Sequence, residues 1–389
     1  MRKIFNLMFI ALIGMAFIAC DKEEKNVPSD PQQPSEKEVA LAGAMKPYVE
    51  NTVIATYSNM ATEGLKLLEQ CESILKAVNE DNDYTDLMKQ AGITWRQMRK
   101  YWEQSEAFLF GPAAAHNIDP HIDSWPLDYN AMNSLLSNQA QMSQIEEEGG
   151  AYVGDKLGYA LKGFHAAEYF LFEEGQPHKT NLTHAQAVYL LGIVEDLAQQ
   201  AVLLEDSWAG EVSSEKEAVI TDDEGESMSY NENYGEYFIN AGKAGSIYKT
   251  YQDAAEEIIA GCVDIAGEVA DLKLGNPYRG SDNGGDSEYL ESPYSRTSTT
   301  DFIDNIISIQ NAYLGANTYD NSISDYVKSV DSELDQKVIK TIEESIDLIG
   351  KISDFENTAQ GNSAVKAAID KVSELEEILD DEVMAILAK

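Results

Sequence analysis

Basic residues are what this 389-residue chain has least of: 28 Lys and Arg stand against 68 Asp and Glu, for a formal charge of −40. So acidic a surface repels phosphate, which excludes nucleic acid as a partner and argues against docking on anionic lipid. It attracts cations, although acidity of this kind usually serves the solubility of an exposed protein. Histidine is scarce, with five in the chain. His165 has no second histidine where a zincin helix requires one; the inverted version asks for it at position 169, which is Tyr169. There are three cysteines. Cys20 is discussed below, and Cys71 and Cys262 sit in apolar helical patterns that suit small buried residues better than a disulfide. Sustained period-two alternation is missing, so sheet content is small and the chain reads as all-α.

The first residues, Met1-Arg2-Lys3 and an apolar run from Ile4 to Ala19, have the pattern of a cleaved secretory signal, 1–19. About 16 apolar positions fall short of the ~20 that a bilayer core requires. Phe17-Ile18-Ala19-Cys20 resembles a bacterial lipobox in which Cys20 is lipidated, and Asp21-Lys22-Glu23-Glu24 resembles an acidic export signal of Gram-negative lipoproteins. The expectation is an outer-membrane lipoprotein, periplasmic or surface-exposed. Residues 20–38, rich in Pro, Ser, Gln and charge, form a flexible tether.

The length suggests two cores. A first helical bundle is expected over 39–208, an acidic connection over 209–238 and a second bundle over 239–389, packed together. Helical patterns run at about Val39–Val78, Thr85–Phe110, Thr183–Trp208, Ile239–Leu274, Thr300–Leu314, Ser322–Ile352 and Ala364–Leu387. Between Gly111-Pro112 and Asp128, three prolines and several Asp residues make a loop whose side chains compete with regular backbone bonding.

Candidate chemistry centres on Gly163-Phe164-His165-Ala166-Ala167-Glu168. On a helix His165 and Glu168 share a face with Leu161 and Phe172, beside an apolar stripe from Val153 to Leu171. Ionisable groups at a core border need each other, other side chains or an ion. Taken alone, the pair is as readily a hydrogen-bonded core edge. Glu106 stands on the apolar face of Trp95, Met98, Trp102 and Leu109, where a carboxylate needs a cation, an Arg or a proton. Glu103 lies toward the rim, within reach of a salt bridge to Arg99 or Lys100.

In order, Trp102-Glu103-Gln104-Ser105-Glu106 through Pro112, Ile122-Asp123-Ser124-Trp125-Pro126-Leu127-Asp128, Gly163 to Glu168, Glu291-Ser292-Pro293-Tyr294-Ser295 and Asp301 to Gly315 resemble the imelysin-like family, which includes iron-regulated bacterial envelope proteins. The resemblance implies two helical-bundle domains and a site at the Gly-x-His-x-x-Glu segment. One half also resembles the extracytoplasmic component of a ferrous-iron uptake system, which carries a metal-ligand set over to Glu103, Glu106, Asp119, Asp123, His165 and Glu168. Ser105, Trp125, Glu291 and Ser295 lie in the matching segments and are further candidates. Such a set suits iron better than copper, with zinc also open. The function implied is non-catalytic capture of iron, or of an iron-bearing ligand, for uptake with outer-membrane transport proteins. The alternatives are a metallopeptidase using His165 and Glu168, and a module that binds haem or a partner protein through aromatics such as Trp95, Trp102, Trp125, Tyr169 and Tyr294.

Overall fold

The computed structural model describes residues 35–178, 181–222, 224–316 and 321–389. The expected signal sequence, Cys20 and most of the expected tether lie outside the described residues. The helices that frame the site are α1 (Glu36–Pro47), α2 (Ala55–Asn79), α3 (Thr85–Glu103), α4 (Gly163–Leu171), α5 (His184–Ala209), α6 (Tyr251–Glu268), α7 (Ser298–Leu314), α8 (Ser332–Gly350) and α9 (Ser363–Glu377). Apart from a hairpin of two-residue strands at Phe172–Glu173 and Gln176–Pro177, the named elements are helical. The chain is an all-α helical-bundle protein.

Local chemistry explains where the helices begin and end. Ser35 caps α1, Thr183 and Gln186 form a capping box on α5, and Thr250 and Asp253 form one on α6. The long amino-terminal pattern is helical throughout but passes through a π-helical stretch, Tyr48–Ile54, just after Pro47 removes a ladder donor. The pattern expected over Ser322–Ile352 breaks at Asp331, whose carboxylate accepts from the N–H groups of Glu333 and Leu334 and starts α8 anew.

Two expected helices are shorter than their patterns. α3 stops at Glu103, because Ser105 Oγ and N–H both bond the Trp102 carbonyl and turn the chain into a 3-10 turn at Glu106–Phe108. The helix bearing His165 does not extend back to Val153. Gly150–Lys156, a 3-10 turn at Tyr159–Leu161 and α4 are separate pieces. The break is set by Gly163, at φ +76°, where a Cβ would lie 2.1 Å from the Ile122 carbonyl oxygen. Only glycine lets α4 start directly against the segment that carries Asp123.

α5 packs along α2, and α2 along α3. α5 alone, among the described residues, is long and apolar enough to cross a membrane, but it is largely buried within the fold. In the carboxyl-terminal half α6, α7, α8 and α9 pack together, and both sets share a face where α3 meets α7 and α6 meets the 106–108 turn. Gly261 of α6 makes this approach close: a Cβ there would sit 2.2 Å from the Ala107 carbonyl oxygen. Residues 35–389 cluster as one unit. The acidic stretch after α5 is tied down, since Lys216 bonds Glu205 at 2.5 Å and Ile220, Tyr234 and Phe238 are buried. Cys71 and Cys262 are free and buried.

Gly163→Ala should cost at least about 2 kcal/mol, from positive-φ strain and the Ile122 clash together. Gly158→Ala, which meets nothing within 4 Å, should be neutral or slightly stabilising. Denaturant unfolding of the two variants checks this, and equal effects would refute the account of the break.

Candidate functional site

α3, the 106–108 turn, the Ile118–Ile122 segment, α4, the π-helical turn Val269–Lys273 and the loop 288–298 enclose a buried group of charges. Arg99 is at its centre, 1% exposed. Its guanidinium contacts Asp123, lies 2.5 Å from Glu103 Oε1 and donates to Glu291 Oε1 at 2.8 Å, with its carbon 5.1 Å over the Phe164 ring. Lys273 Nζ sits 3.5 Å from Glu291, 3.7 Å from Glu103, 3.8 Å from Glu106 and 3.9 Å from Glu268. Glu103 also accepts from Asn305 Nδ2 at 2.5 Å, and Asp123 from Trp102 Nε1 at 2.7 Å.

His165 and Glu168 adjoin this group. His165 Nε2 is 3.1 Å from Asp123 Oδ1 without the alignment of a hydrogen bond, and Nδ1 is 3.7 Å from Glu168 Oε2, too far for one. Trp125 covers the imidazole with ring centroids 5.0 Å apart. Glu168 Oε1 accepts from the N–H groups of Tyr294 and Ser295 at 3.2 and 2.7 Å and from Ser295 Oγ at 2.6 Å, while Oε2 is buried without a partner. Ligand-type atoms of Asp123, His165 and Glu291 lie within 4.8 Å of one another, as do those of Glu103, Glu106 and Asp123.

The expected residues thus occupy different positions. Glu103, Asp123, His165, Glu168, Glu291 and Ser295 are directly joined by these contacts. Glu106 belongs to the 3-10 turn rather than to the face of α3, and reaches the group through Lys273. Asp119 lines a neighbouring cavity of about 370 Å³ with Glu106 and Glu268. Ser105 Oγ is spent on the end of α3. Among the aromatics, Trp95 and Trp102 are fully buried against Phe164 and Phe172, so they belong to the core. Lys273 joins the group from outside the matching segments, and Asn305 and Asp301 from the last of them. Lys273 leaves a faint trace as a cation among Val269, Ala270, Leu272 and Leu274 in a cation-poor chain.

Burial dominates the electrostatics. It pushes Glu103 up to about 7 against the pull of Arg99 and Lys273, and Asp119 up to about 6 with help from Asp123. It holds Glu106 and Asp301 well above the usual carboxylate range. Asp123 goes the other way: burial opposes its charge, but Arg99, His165 and Lys273 outweigh it and keep the carboxyl well below that range. His165 is disfavoured as a cation by burial, yet Asp123 and Glu168 raise it to about 9.

The sequence matches the Imelysin family model (Peptidase M75) over residues 53–380. The chain belongs to the imelysin family. It is 26% identical over 268 residues to iron-regulated protein A of Synechococcus elongatus, an alignment that covers 69% of this chain and 63% of the cyanobacterial protein's length. A crystal structure assigned as an iron-regulated protein A precursor from Parabacteroides distasonis superposes with a TM-score of 0.75 at 25% identity, covering 93% of this chain and 99% of that one. An imelysin-like protein from Psychrobacter arcticum shares the fold at 11% identity, with a TM-score of 0.63 over 90% of this chain and 96% of that one.

Raised folded-state values give this imelysin-family site a pH signature. A group whose pKa is raised on folding stabilises fully below its unfolded value and stops doing so as pH passes the folded one: 4.5 to about 7 for Glu103, 3.8 to about 6 for Asp119, 6.5 to about 9 for His165. The metal-free protein should therefore lose stability as pH rises from about 5 to 9. His165→Gln should flatten the upper part of that slope. Urea midpoints at pH 5, 7 and 9 test this, and a rise across the window would contradict it.

Proposed function

We propose that this protein captures iron for uptake at the cell envelope, as the ion or within a small iron-bearing ligand, and catalyses no reaction. The observation that carries the reading is the excess of buried acid over buried base. Glu103, Glu106, Asp123, Glu168, Glu291 and Asp301 face Arg99 and Lys273, with His165 among them, all within a tenth of full exposure apart from the partly buried Asp123 backbone. A dry interior cannot hold that surplus as bare charge, so it takes up protons or a cation. His165 offers two ring nitrogens and Glu168 one oxygen with no aligned partner. One imidazole among carboxylates suits iron ahead of copper, with zinc second.

Arg99 is the competitor. It bridges Asp123 and Glu291, so a cation entering between those carboxylates and His165 must loosen the guanidinium and displace a proton, and affinity should rise with pH. The names of the relatives, which speak of regulation by iron, agree with this reading. Export, anchoring through Cys20 in the outer membrane and transfer to outer-membrane transport proteins complete it. Peptide hydrolysis has less support: a catalytic metal needs an open position reached by the substrate, whereas His165 and Glu168 are 1% and 0% exposed.

Calorimetry of the metal-stripped protein with ferrous iron, a ferric chelate and zinc tests the proposal. Saturable iron binding is expected, weakened at least about tenfold by Glu168→Gln. That variant keeps the oxygen that accepts from Tyr294 and Ser295. Absence of iron binding, with casein cleavage that Glu168→Gln abolishes, would establish the peptidase instead.

A further inference from the structure

A second cavity, about 210 Å³, lies between α3 and the start of α7, and its lining is unlike the rest of this acidic molecule. Arg96, Arg99 and Lys100 of α3 line it, drawn from only 28 basic residues in the whole chain. Opposite stand Thr297 and Thr300, at the N-cap and third position of the 17-residue α7. The helix begins there without a side-chain cap, the Thr300 and Asp301 N–H groups bonding the Thr297 carbonyl, and the positive end of its dipole lies at the cavity.

Two guanidinium groups have donors to spare. Arg99 is 1% exposed, and its Nε–H has no acceptor among the described residues. Arg96 gives Nη2 to the carbonyls of Gly175 and Ser295 at 2.9 and 3.1 Å and packs over Phe172, all neutral partners, and its buried Nε is likewise without an acceptor. A buried donor left unmade is costly, and a charged one more so. Asp301 and Asp304 also border the cavity. Asp301 accepts from Ser292 Oγ at 2.5 Å and from Thr297 Oγ1 at 3.4 Å, and Asp304 accepts from Gln104 Nε2 at 2.7 Å and keeps lone pairs for a further hydrogen bond from a ligand hydroxyl.

We propose that this cavity binds a small oxyanion that still carries a proton, of the hydrogen phosphate or hydrogen carbonate kind. The arginines, Lys100 and the α7 terminus hold the charged oxygens, and Asp304 takes the hydroxyl. Arg99 spans both sites, with one edge on the buried carboxylates and its Nε side uncommitted. The anion site stands without the iron reading, and its test is run on metal-free protein.

The full chain, in chloride-free buffer near pH 7, is titrated by calorimetry with sodium phosphate, with sodium hydrogen carbonate and with acetate, which has no proton to give. Saturable one-to-one binding of phosphate or hydrogen carbonate is expected, with acetate at least about tenfold weaker. Lys100→Gln, at an exposed position, and Arg96→Gln should each weaken binding about tenfold or more, with circular dichroism showing both variants folded. Absence of saturable binding of either protonated anion, acetate binding equally well, or binding that both variants leave unchanged would overturn the proposal.

Discussion

One buried guanidinium holds this structure together. Arg99 joins Glu103 on its own helix, Asp123 after the proline-broken segment and Glu291 in the loop before α7, so a single side chain ties three stretches separated by up to 192 residues. Removing one partner of such a buried group typically costs about 3–5 kcal/mol, because the remaining charges lose their compensation. Lys273 repeats the arrangement from the other side, presented by a π-helical turn that extends α6 beyond its regular hydrogen-bond ladder.

That arrangement under-compensates its acids, and this is where architecture meets function. Glu168 is fixed through one oxygen by the 294–295 backbone and Ser295, which leaves the other facing His165. The loop after α6 and the helix after Gly163 therefore determine how the imidazole is presented. In the metal-free state burial favours protons on Glu103, Glu106 and Asp301, which relieve the surplus; bound iron would do so instead. Exchange between the two states requires Arg99 to give up part of its hold, so capture would be coupled to movement of the side chain that fastens both halves of the molecule.

Much of this was legible in the sequence. Helical periodicity and missing alternation announce an all-α chain, and the fold brings Asp123, His165, Glu168 and Glu291 of the motif segments together. Glu106 stands out as an acid on an apolar face, but it does not lie on that face, because a serine hydroxyl ends α3 at Glu103, seven residues before Phe110. The apolar stripe from Val153 to Leu171 is broken before Gly163: periodicity runs across the glycine and carries no sign of the Ile122 carbonyl that presses against it. What Lys273 and Asn305 do is not legible, since it lies in contacts with Glu103 from more than 150 residues away. Arg99 appeared only as a neighbour of Glu103, four positions along one helix, and nothing local revealed its other two partners.

The most direct test of the central claim is anomalous diffraction at the iron edge from crystals grown anaerobically with ferrous iron. The account predicts an iron peak among Asp123, His165 and Glu291, with the Arg99 guanidinium drawn away from the two carboxylates. Crystals in which Arg99 still bridges Asp123 and Glu291 and no iron scatters between them and His165 would contradict it.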